Sequence, residues 1–203
     1  MGIEHLLAFN LTLLLAIASP GPSLLFLSAT ALGQGRVAGI AAALGLGLMA
    51  ALWTGAALIG LDALFAVAPW AYLTLKIGGA AYLIWIAIKI WRAAGDPIGE
   101  APRPGREGRA FRQGLLVNLG NPKSVLFAAS VLVVIFPPDL TTAQKALIFF
   151  NHLAIEWLLQ PALAVMLSSQ AVRRRYLGAK MVIDRVSAGV LGALGLRLLL
   201  PER

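Results

Sequence analysis

Long apolar runs separated by short polar segments make up most of the chain. Six runs approach or exceed the roughly 18–20 residues that a helix needs to cross a bilayer. They lie at about residues 6–32, 37–60, 70–91, 115–136, 146–168 and 182–200. The 203 residues are 59% hydrophobic, with a mean hydropathy of +0.82, which is more apolar surface than a soluble domain of this size can bury. The pattern predicts an all-α membrane protein with about six transmembrane helices.

The polar stretch at residues 92–112 is the longest interruption of the apolar pattern. Its proline, glycine and basic residues predict a cytoplasmic linker between a first three-helix repeat, residues 1–91, and a second, residues 113–203. Because each half has an odd number of spans, related halves must be inverted copies. Proline breaks in the first and fourth helices, and an Ala-x-x-Trp that begins at Ala50 and again at Ala154, predict two inverted three-helix repeats.

Basic residues lie mainly on one side of this predicted topology. The net charge is +8, from 17 Lys and Arg against 9 Asp and Glu. In a six-span chain the loop of Arg36, the linker and the basic segment 173–185 lie on the same side, which the positive-inside rule assigns to the cytoplasm, with both termini outside. A re-entrant first segment would instead put the N-terminus inside. The basic segments lack interleaved aromatic residues, so the predicted partner is the lipid bilayer and not nucleic acid.

The chain has no cysteine and two histidines. The lack of cysteine excludes disulfides, thiol redox chemistry and thiolate metal sites. His5 and His152 are too far apart in the sequence to suggest a transition-metal site. No nucleophile with its base and no phosphate-binding glycine loop is visible. We therefore predict no enzymatic activity, no cofactor and no metal site.

The segment SPGPS at residues 19–23 interrupts the first predicted span in its middle. Proline removes a backbone donor and its ring clashes with the preceding turn, which costs about 3 kcal/mol or more inside a helix. Broken backbone at membrane depth survives where it is buried in protein or lines a wet cavity. In the fourth span Asn121 and Pro122 predict a second helix start, with Asn as the N-cap and Pro at the first helical position.

Together the two breaks predict a site for a zwitterion. A restarted half-helix presents unpaired N–H groups and a positive dipole end to a carboxylate, and Lys123 adds a full charge in its first turn. The carbonyls that end the preceding half-helix suit an ammonium group, and an α-amino acid carries both groups. The alternative is that each proline only kinks a helix for packing. The predicted substrate-binding residues are Ser19, Pro20, Gly21, Pro22, Ser23, Asn118, Asn121, Pro122 and Lys123.

Several motifs taken together resemble one transporter family. They are SPGPSLLFL near the N-terminus, Gly35-x-x-x-Gly39-x-x-x-x-x-Gly45 after it, NPKSVLF in the fourth span, LKIGGAAYLIWI in the third and GVLGALGLRLLL near the end. Over nearly the whole chain they are similar to the lysine exporter family, also called the LysE/RhtB amino-acid exporters. The resemblance implies a multi-pass protein of the bacterial inner membrane that exports amino acids or related metabolites, generally by proton antiport.

The resemblance does not imply one substrate. Members of this family handle basic, hydroxylated and branched amino acids, and remoter relatives move metal ions. A metal-ion exporter on the same scaffold and a membrane assembly protein without transport therefore stay open beside a secondary exporter of amino acids.

Glu156 lies deep within the fifth predicted span, four residues after His152 and on the same helix face. A charge at this depth is expensive and is a functional hypothesis by default. Because a desolvated carboxyl can gain and lose a proton as a cavity alternates, we predict a proton-coupling role for Glu156 and His152. The family resemblance does not imply this role. The alternative is a glutamate near the outer surface that is paired or snorkels.

Three spaced glycines, Gly35, Gly39 and Gly45, predict a tight turn followed by a face for close helix packing and not for contact with substrate. Further glycines in the second, third and sixth spans support closely packed, sliding helices or a homodimer face.

Overall fold

The computed structural model describes residues 1–19, 22–67, 71–94 and 109–199. Within these ranges the regular structure is entirely helical. The helices are α1 (Ile3–Ala18), α2 (Pro22–Gly33), α3 (Arg36–Val67), α4 (Ala71–Ala93), α5 (Ala110–Leu119), α6 (Pro122–Ile135), α7 (Thr142–Leu167), α8 (Gln170–Gly178) and α9 (Lys180–Leu199).

Membrane-spanning capacity is clearest in four of these segments. Helices α3 and α7 are each long and apolar enough to cross a bilayer. The pairs α1–α2 and α5–α6 meet the same test when each is taken as one span, bent by 55° and 69° at its break. The prediction of an all-α membrane protein is confirmed, with two to four spans supported among the described residues. The predicted arrangement of six spans in two inverted repeats is not established by these spans and stays a prediction.

Apolar side chains cover much of the outer surface. Ile59 on α3, Leu116 on α5, and Phe150 and Leu158 on α7 are each more than 60% exposed. A soluble protein rarely exposes so many large apolar side chains, whereas lipid solvates them readily. The inside holds two apolar clusters. One joins α1, α6 and α9, and the other joins α2, α3 and α5.

Both predicted helix breaks are present as helix boundaries. Helix α1 ends at Ser19, whose backbone is extended and whose N–H donates to the carbonyl oxygen of Leu15 at 3.0 Å. Helix α2 begins at Pro22, and residues 20–21 lie outside the described ranges. Helix α6 begins at Pro122 after Asn121, whose side-chain oxygen accepts from the backbone N–H of Lys123. The predicted N-cap at Asn121 is therefore confirmed.

Glycine permits a very close crossing of α3 and α5. A Cβ atom at Gly45 would lie 2.0 Å from the carbonyl oxygen of Phe111, and one at Gly114 would lie 2.2 Å from that of Ala42. A Cβ at Gly39 would lie 2.7 Å from the Cβ of Ala31 on α2. At the crossing of α3 and α5 the two backbones therefore touch directly, at a place where any side chain would separate them.

Gly35 supplies the tight turn that the motif predicts and makes no close packing contact of its own. A Cβ atom there would have no heavy atom within 4 Å, and its φ is +90°. This left-handed conformation favours glycine, so Gly35 forms the turn between α2 and α3. The packing contacts of the motif are made by Gly39 and Gly45.

The predicted linker falls mostly outside the described residues. Arg92 lies in the last turn of α4 and Arg109 is the N-cap of α5, whereas residues 95–108 are not among those described. The division of the chain into two repeats at this linker stays a prediction.

Candidate functional site

A cavity of about 80 Å³ lies where α1, α2, α3, α5, α6 and α7 meet. Its walls include Leu13 and Phe127 from one apolar cluster, and Leu163 packs against the other. One water needs about 10–15 Å³, so several waters or a small polar molecule have room. The polar side chains that line the cavity are Ser19, Ser23, Asn118, Asn121, Lys123, Ser124, His152, Glu156 and Gln160.

Most of the residues predicted from sequence lie at this one cavity. The predicted binding residues that line it are Ser19, Ser23, Asn118, Asn121 and Lys123, and both predicted coupling residues, His152 and Glu156, line it as well. Pro22 and Pro122 are the first residues of their helices. Pro20 and Gly21 lie outside the described ranges.

Two hydrogen bonds join the two helix breaks across the cavity. The side-chain amide nitrogen of Asn121 donates to Ser23 Oγ at 2.9 Å. The Nζ atom of Lys123 donates to the carbonyl oxygen of Ala16, in the last turn of α1, at 3.2 Å. The end of one half-helix and the start of the other therefore face each other, although about 100 residues separate them in sequence.

Two of the carbonyl groups at the end of α1, those of Leu15 and Ala16, have protein partners. The sequence predicts carbonyl groups here that are free for the ammonium group of a ligand. The carbonyl oxygen of Ala16 accepts from Lys123. That of Leu15 accepts from the N–H of Ser19 at 3.0 Å and from Ser187 Oγ at 3.4 Å.

Asn118 ties α5 to α3 and orients a hydroxyl group in the cavity. Its Nδ2 donates to the carbonyl oxygen of Leu46 at 2.6 Å, directly beside the close crossing at Gly45. Its Oδ1 accepts from Ser124 Oγ. Asn118 is 2% exposed, and these bonds use both ends of its amide, as burial requires.

A chain of buried polar side chains runs along the cavity face of α7. His152, Glu156 and Gln160 are spaced four residues apart, so they stand one above another on that face. His152 Nδ1 lies 2.8 Å from Thr54 Oγ1, and its Nε2 lies 3.3 Å from Glu156 Oε1. Gln160 Nε2 donates to Glu156 Oε2 at 2.5 Å. Every member of the chain therefore has a partner.

Glu156 is fully enclosed and does not snorkel. It is 3% exposed and contacts His152 and Gln160, so it is paired, as one form of the alternative has it, and its proton-coupling role stays a prediction. A Cβ atom at Gly47 would lie 2.9 Å from the Cβ of Glu156. Glycine at that position of α3 therefore lets α7 approach closely enough to enclose the carboxylate.

Asp184 on α9 is a buried carboxylate that the sequence reading missed. It is 4% exposed. Its Oδ1 accepts from Ser19 Oγ at 3.1 Å, and its Oδ2 lies 2.8 Å from Nζ of Lys180. Lys180 also donates to the carbonyl oxygen of Ala94 at 3.4 Å. The available signal was the spacing of Lys180, Asp184 and Ser187 on one helix face, hidden within a basic segment.

The two buried carboxylates serve separate networks. Glu156 contacts its neighbours on α7 and lines the cavity, whereas Asp184 binds the end of α1 from outside the cavity wall. Among the described residues, no three His, Asp or Glu side chains come together as metal ligands.

Side chains from the first half of α1 contact α7 at and next to His152. The ring of Phe9 meets the His152 ring edge-on, with centroids 5.6 Å apart. One residue on, Asn10 and Asn151 exchange amide hydrogen bonds of 2.6 and 3.4 Å. These contacts hold α1 against α7 beside the polar chain.

Comparison with known proteins identifies the family. The family model described as LysE type translocator matches residues 14–202. The chain belongs to the LysE family of translocators. This LysE family member is 29% identical over 196 residues to the threonine efflux protein of Escherichia coli K12, covering 92% of this chain and 93% of that protein. It is 30% identical over 168 residues to the homoserine/homoserine lactone efflux protein of Salmonella typhimurium LT2, covering 82% of each.

An uncharacterised membrane protein of Escherichia coli K12 is also 30% identical to this LysE family member over 184 residues, covering 89% of this chain and 82% of that protein. No solved structure matches this LysE family member. The family relationship confirms the resemblance drawn from the motifs, and the helical spans and family together define a multi-pass membrane protein.

Proposed function

We propose that this LysE family member exports an amino acid or a related small zwitterion across the bacterial inner membrane, by antiport with protons. The observation that supports this proposal most is the meeting of both helix breaks at one polar cavity. That cavity holds the half-buried ammonium group of Lys123 and the buried carboxylate of Glu156. The two relatives named as efflux proteins for threonine and for homoserine support the substrate class.

Lys123 and the start of α6 form the carboxylate site of this proposal. The ammonium group of Lys123 has three protons and donates one of them to Ala16, which leaves two for a ligand. The first N–H groups of α6 add the positive end of a helix dipole at the same place. A carboxylate here would accept from the remaining protons of Lys123 and lie at the positive end of the α6 dipole.

The chain of Thr54, His152, Glu156 and Gln160 is the proton-coupling element of this proposal. Glu156 and His152 are both buried and share one hydrogen bond. Opening the cavity to one side would hydrate Glu156, and closing it would desolvate Glu156, so its affinity for a proton would change with the transport state. Such a change is what coupling to a proton gradient requires.

Alternating access in this proposal uses two inverted repeats of three spans. Helices at matching positions in the two halves pack together, since α3 contacts α7 and α4 contacts α9. Each half begins with a broken helix, and both breaks border the cavity. In this arrangement the contacts of Phe9 and Asn10 with α7 close the outer side, and the basic loops face the cytoplasm.

Counterflow in proteoliposomes tests this proposal. Vesicles are loaded with one unlabelled amino acid at a time, and uptake of the labelled form is measured over a panel that includes threonine and homoserine. We expect counterflow of one or more amino acids, and a transmembrane pH gradient should drive net movement. Lys123→Met should weaken the affinity by about 1–3 kcal/mol, the cost of losing a charge-assisted hydrogen bond.

Lys89→Met is the matched control, because it makes the same chemical change at an exposed lysine of α4 outside the cavity. It should leave the affinity unchanged. Counterflow of no amino acid by correctly folded protein would contradict the proposal. Counterflow of a divalent cation alone would replace it with the metal-ion alternative.

A further inference from the structure

We infer that Asp184 is a positioning residue, which turns Ser19 into a hydrogen-bond acceptor for the ammonium group of the substrate. This inference rests on the proposed function, because it assigns the end of the cavity that takes the ammonium group. Asp184 itself does not line the cavity, whereas Ser19 does.

The proton of the Ser19 hydroxyl is committed to Asp184. The carboxylate of Asp184 forms an ion pair with Lys180 at 2.8 Å, and an ionised carboxylate can only accept hydrogen bonds. Ser19 Oγ, at 3.1 Å from Asp184 Oδ1, must therefore be the donor. Since a hydroxyl has one proton and two lone pairs, Ser19 keeps only acceptor capacity for the cavity.

An ammonium group is the ligand chemistry that suits such an acceptor. It carries three protons and accepts no hydrogen bond. The carbonyl groups of Leu15 and Ala16 at the same helix end already have partners. The carboxylate behind Ser19 also polarises the hydroxyl oxygen through their shared hydrogen bond, which strengthens it as an acceptor for a cation.

Ser23, on the other side of the break, has the opposite polarity. Its Oγ accepts from Nδ2 of Asn121 at 2.9 Å. The amide orientation of Asn121 is fixed, because its Oδ1 accepts from the backbone N–H of Lys123. Ser23 therefore keeps its own proton for the cavity, beside the start of α6, whose positive dipole end favours a carboxylate. The two serines of SPGPS thus recognise the two ends of one zwitterion.

The test compares an amino acid with the analogue that lacks only its ammonium group. The probes are L-threonine and 3-hydroxybutanoate, which has hydrogen in place of the ammonium group, with L-homoserine and 4-hydroxybutanoate as a second pair. Affinities are measured on purified protein. Ser19→Ala should weaken binding of the amino acid about 10-fold, while binding of the hydroxy acid changes by less than about 2-fold. Asp184→Asn should act in the same direction, because its amide can donate to Ser19 and release the hydroxyl proton.

Three further variants separate positioning from a structural role. Ser19→Thr keeps the hydroxyl and should restore the preference for the amino acid. The double variant Ser19→Ala/Asp184→Asn should lose no more selectivity than Ser19→Ala alone. Ser23→Ala is the matched control, because it removes a donor to the carboxylate that both probes share. It should weaken binding of both probes alike.

Equal weakening of both probes by Ser19→Ala, with normal binding by the unaltered protein, would overturn this inference and leave the proposed function intact. Binding of neither amino acid by the unaltered, folded protein would contradict the proposed function and this inference with it. If Asp184→Asn does not fold, the pair Ser19→Ala and Ser19→Thr decides the question alone.

Discussion

Single side chains connect the two helix breaks in this protein. Asn121 uses its oxygen to cap α6 and its nitrogen to reach Ser23, so one amide fixes a local turn and a contact 98 residues away. Lys123 also connects the two breaks, since it lies in the first turn of α6 and its ammonium group donates to a carbonyl oxygen at the end of α1. Local capping rules predicted the first function of each residue. The second function of each residue, its contact with the other helix break, depends on how the helices pack.

Glu156→Gln tests the proposed coupling at the residue scale. Glutamine has the shape of glutamate, and its amide can still accept from Gln160 and face His152, so the buried chain keeps its bonds. It cannot bind or release a proton. We expect counterflow to persist and export driven by a pH gradient to fall to the rate seen without a gradient.

Glu4→Gln is the control for that experiment. The Glu4 side chain is 72% exposed, so the same loss of charge occurs outside the cavity. Both transport modes should stay normal in this variant. Gradient-driven export that is unchanged in Glu156→Gln would remove Glu156 from the coupling scheme.

At the scale of helices, the prolines predicted where α1 and α6 would be interrupted or begin, and both boundaries are confirmed. The glycine motif predicted a turn and close packing, but not which partner each glycine would meet. Gly45 contacts α5 only because Gly114, on α5, also has no side chain at the point where the two helices cross. Two glycines 69 positions apart in the sequence form one contact, and no local pattern reveals such a pair.

Gly45→Ala should therefore destabilise the protein. Its Cβ would overlap the carbonyl oxygen of Phe111, and backbone cannot move aside as a flexible side chain can. Overpacking of this kind costs about 1–3 kcal/mol. The shift would also disturb the bond of Asn118 to Leu46, so substrate affinity should fall together with the melting temperature in detergent.

Gly60→Ala on the same helix is the matched control. A Cβ atom at Gly60 meets no heavy atom within 4 Å, and alanine favours helix by about 1 kcal/mol over glycine. Its melting temperature should be equal to or higher than that of the unaltered protein. Equal melting temperatures for the two variants would show that α3 and α5 tolerate separation.

At the scale of the whole molecule, composition predicted the membrane class, and motifs predicted the family. The cavity brings together Ser19, Lys123 and Glu156, which the sequence had assigned to two separate functions. Asp184 was missed because its partner Ser19 lies 165 residues away, and its neighbour Lys180 gives the segment the appearance of a basic loop. Burial of a charge follows from packing, which a single sequence shows only indirectly.

Orientation in the membrane is the last prediction, and the lack of cysteine makes it testable. Thr142 and Ser169 are exposed residues at opposite ends of α7, and replacing either by cysteine leaves the basic segments unchanged. In intact cells stripped of their outer membrane, an impermeant maleimide should label Thr142→Cys at once and Ser169→Cys only after permeabilisation, because the basic segment after α7 should face the cytoplasm.

Ile3→Cys completes this experiment, since Ile3 is exposed at the start of α1. Labelling from outside is expected if the broken first helix crosses the membrane as one of six spans. Labelling only after permeabilisation would mean that α1 and α2 form a re-entrant hairpin. Labelling of Ser169→Cys from outside, with Thr142→Cys protected, would invert the orientation, and the inward-facing and outward-facing sides of the cavity would exchange with it.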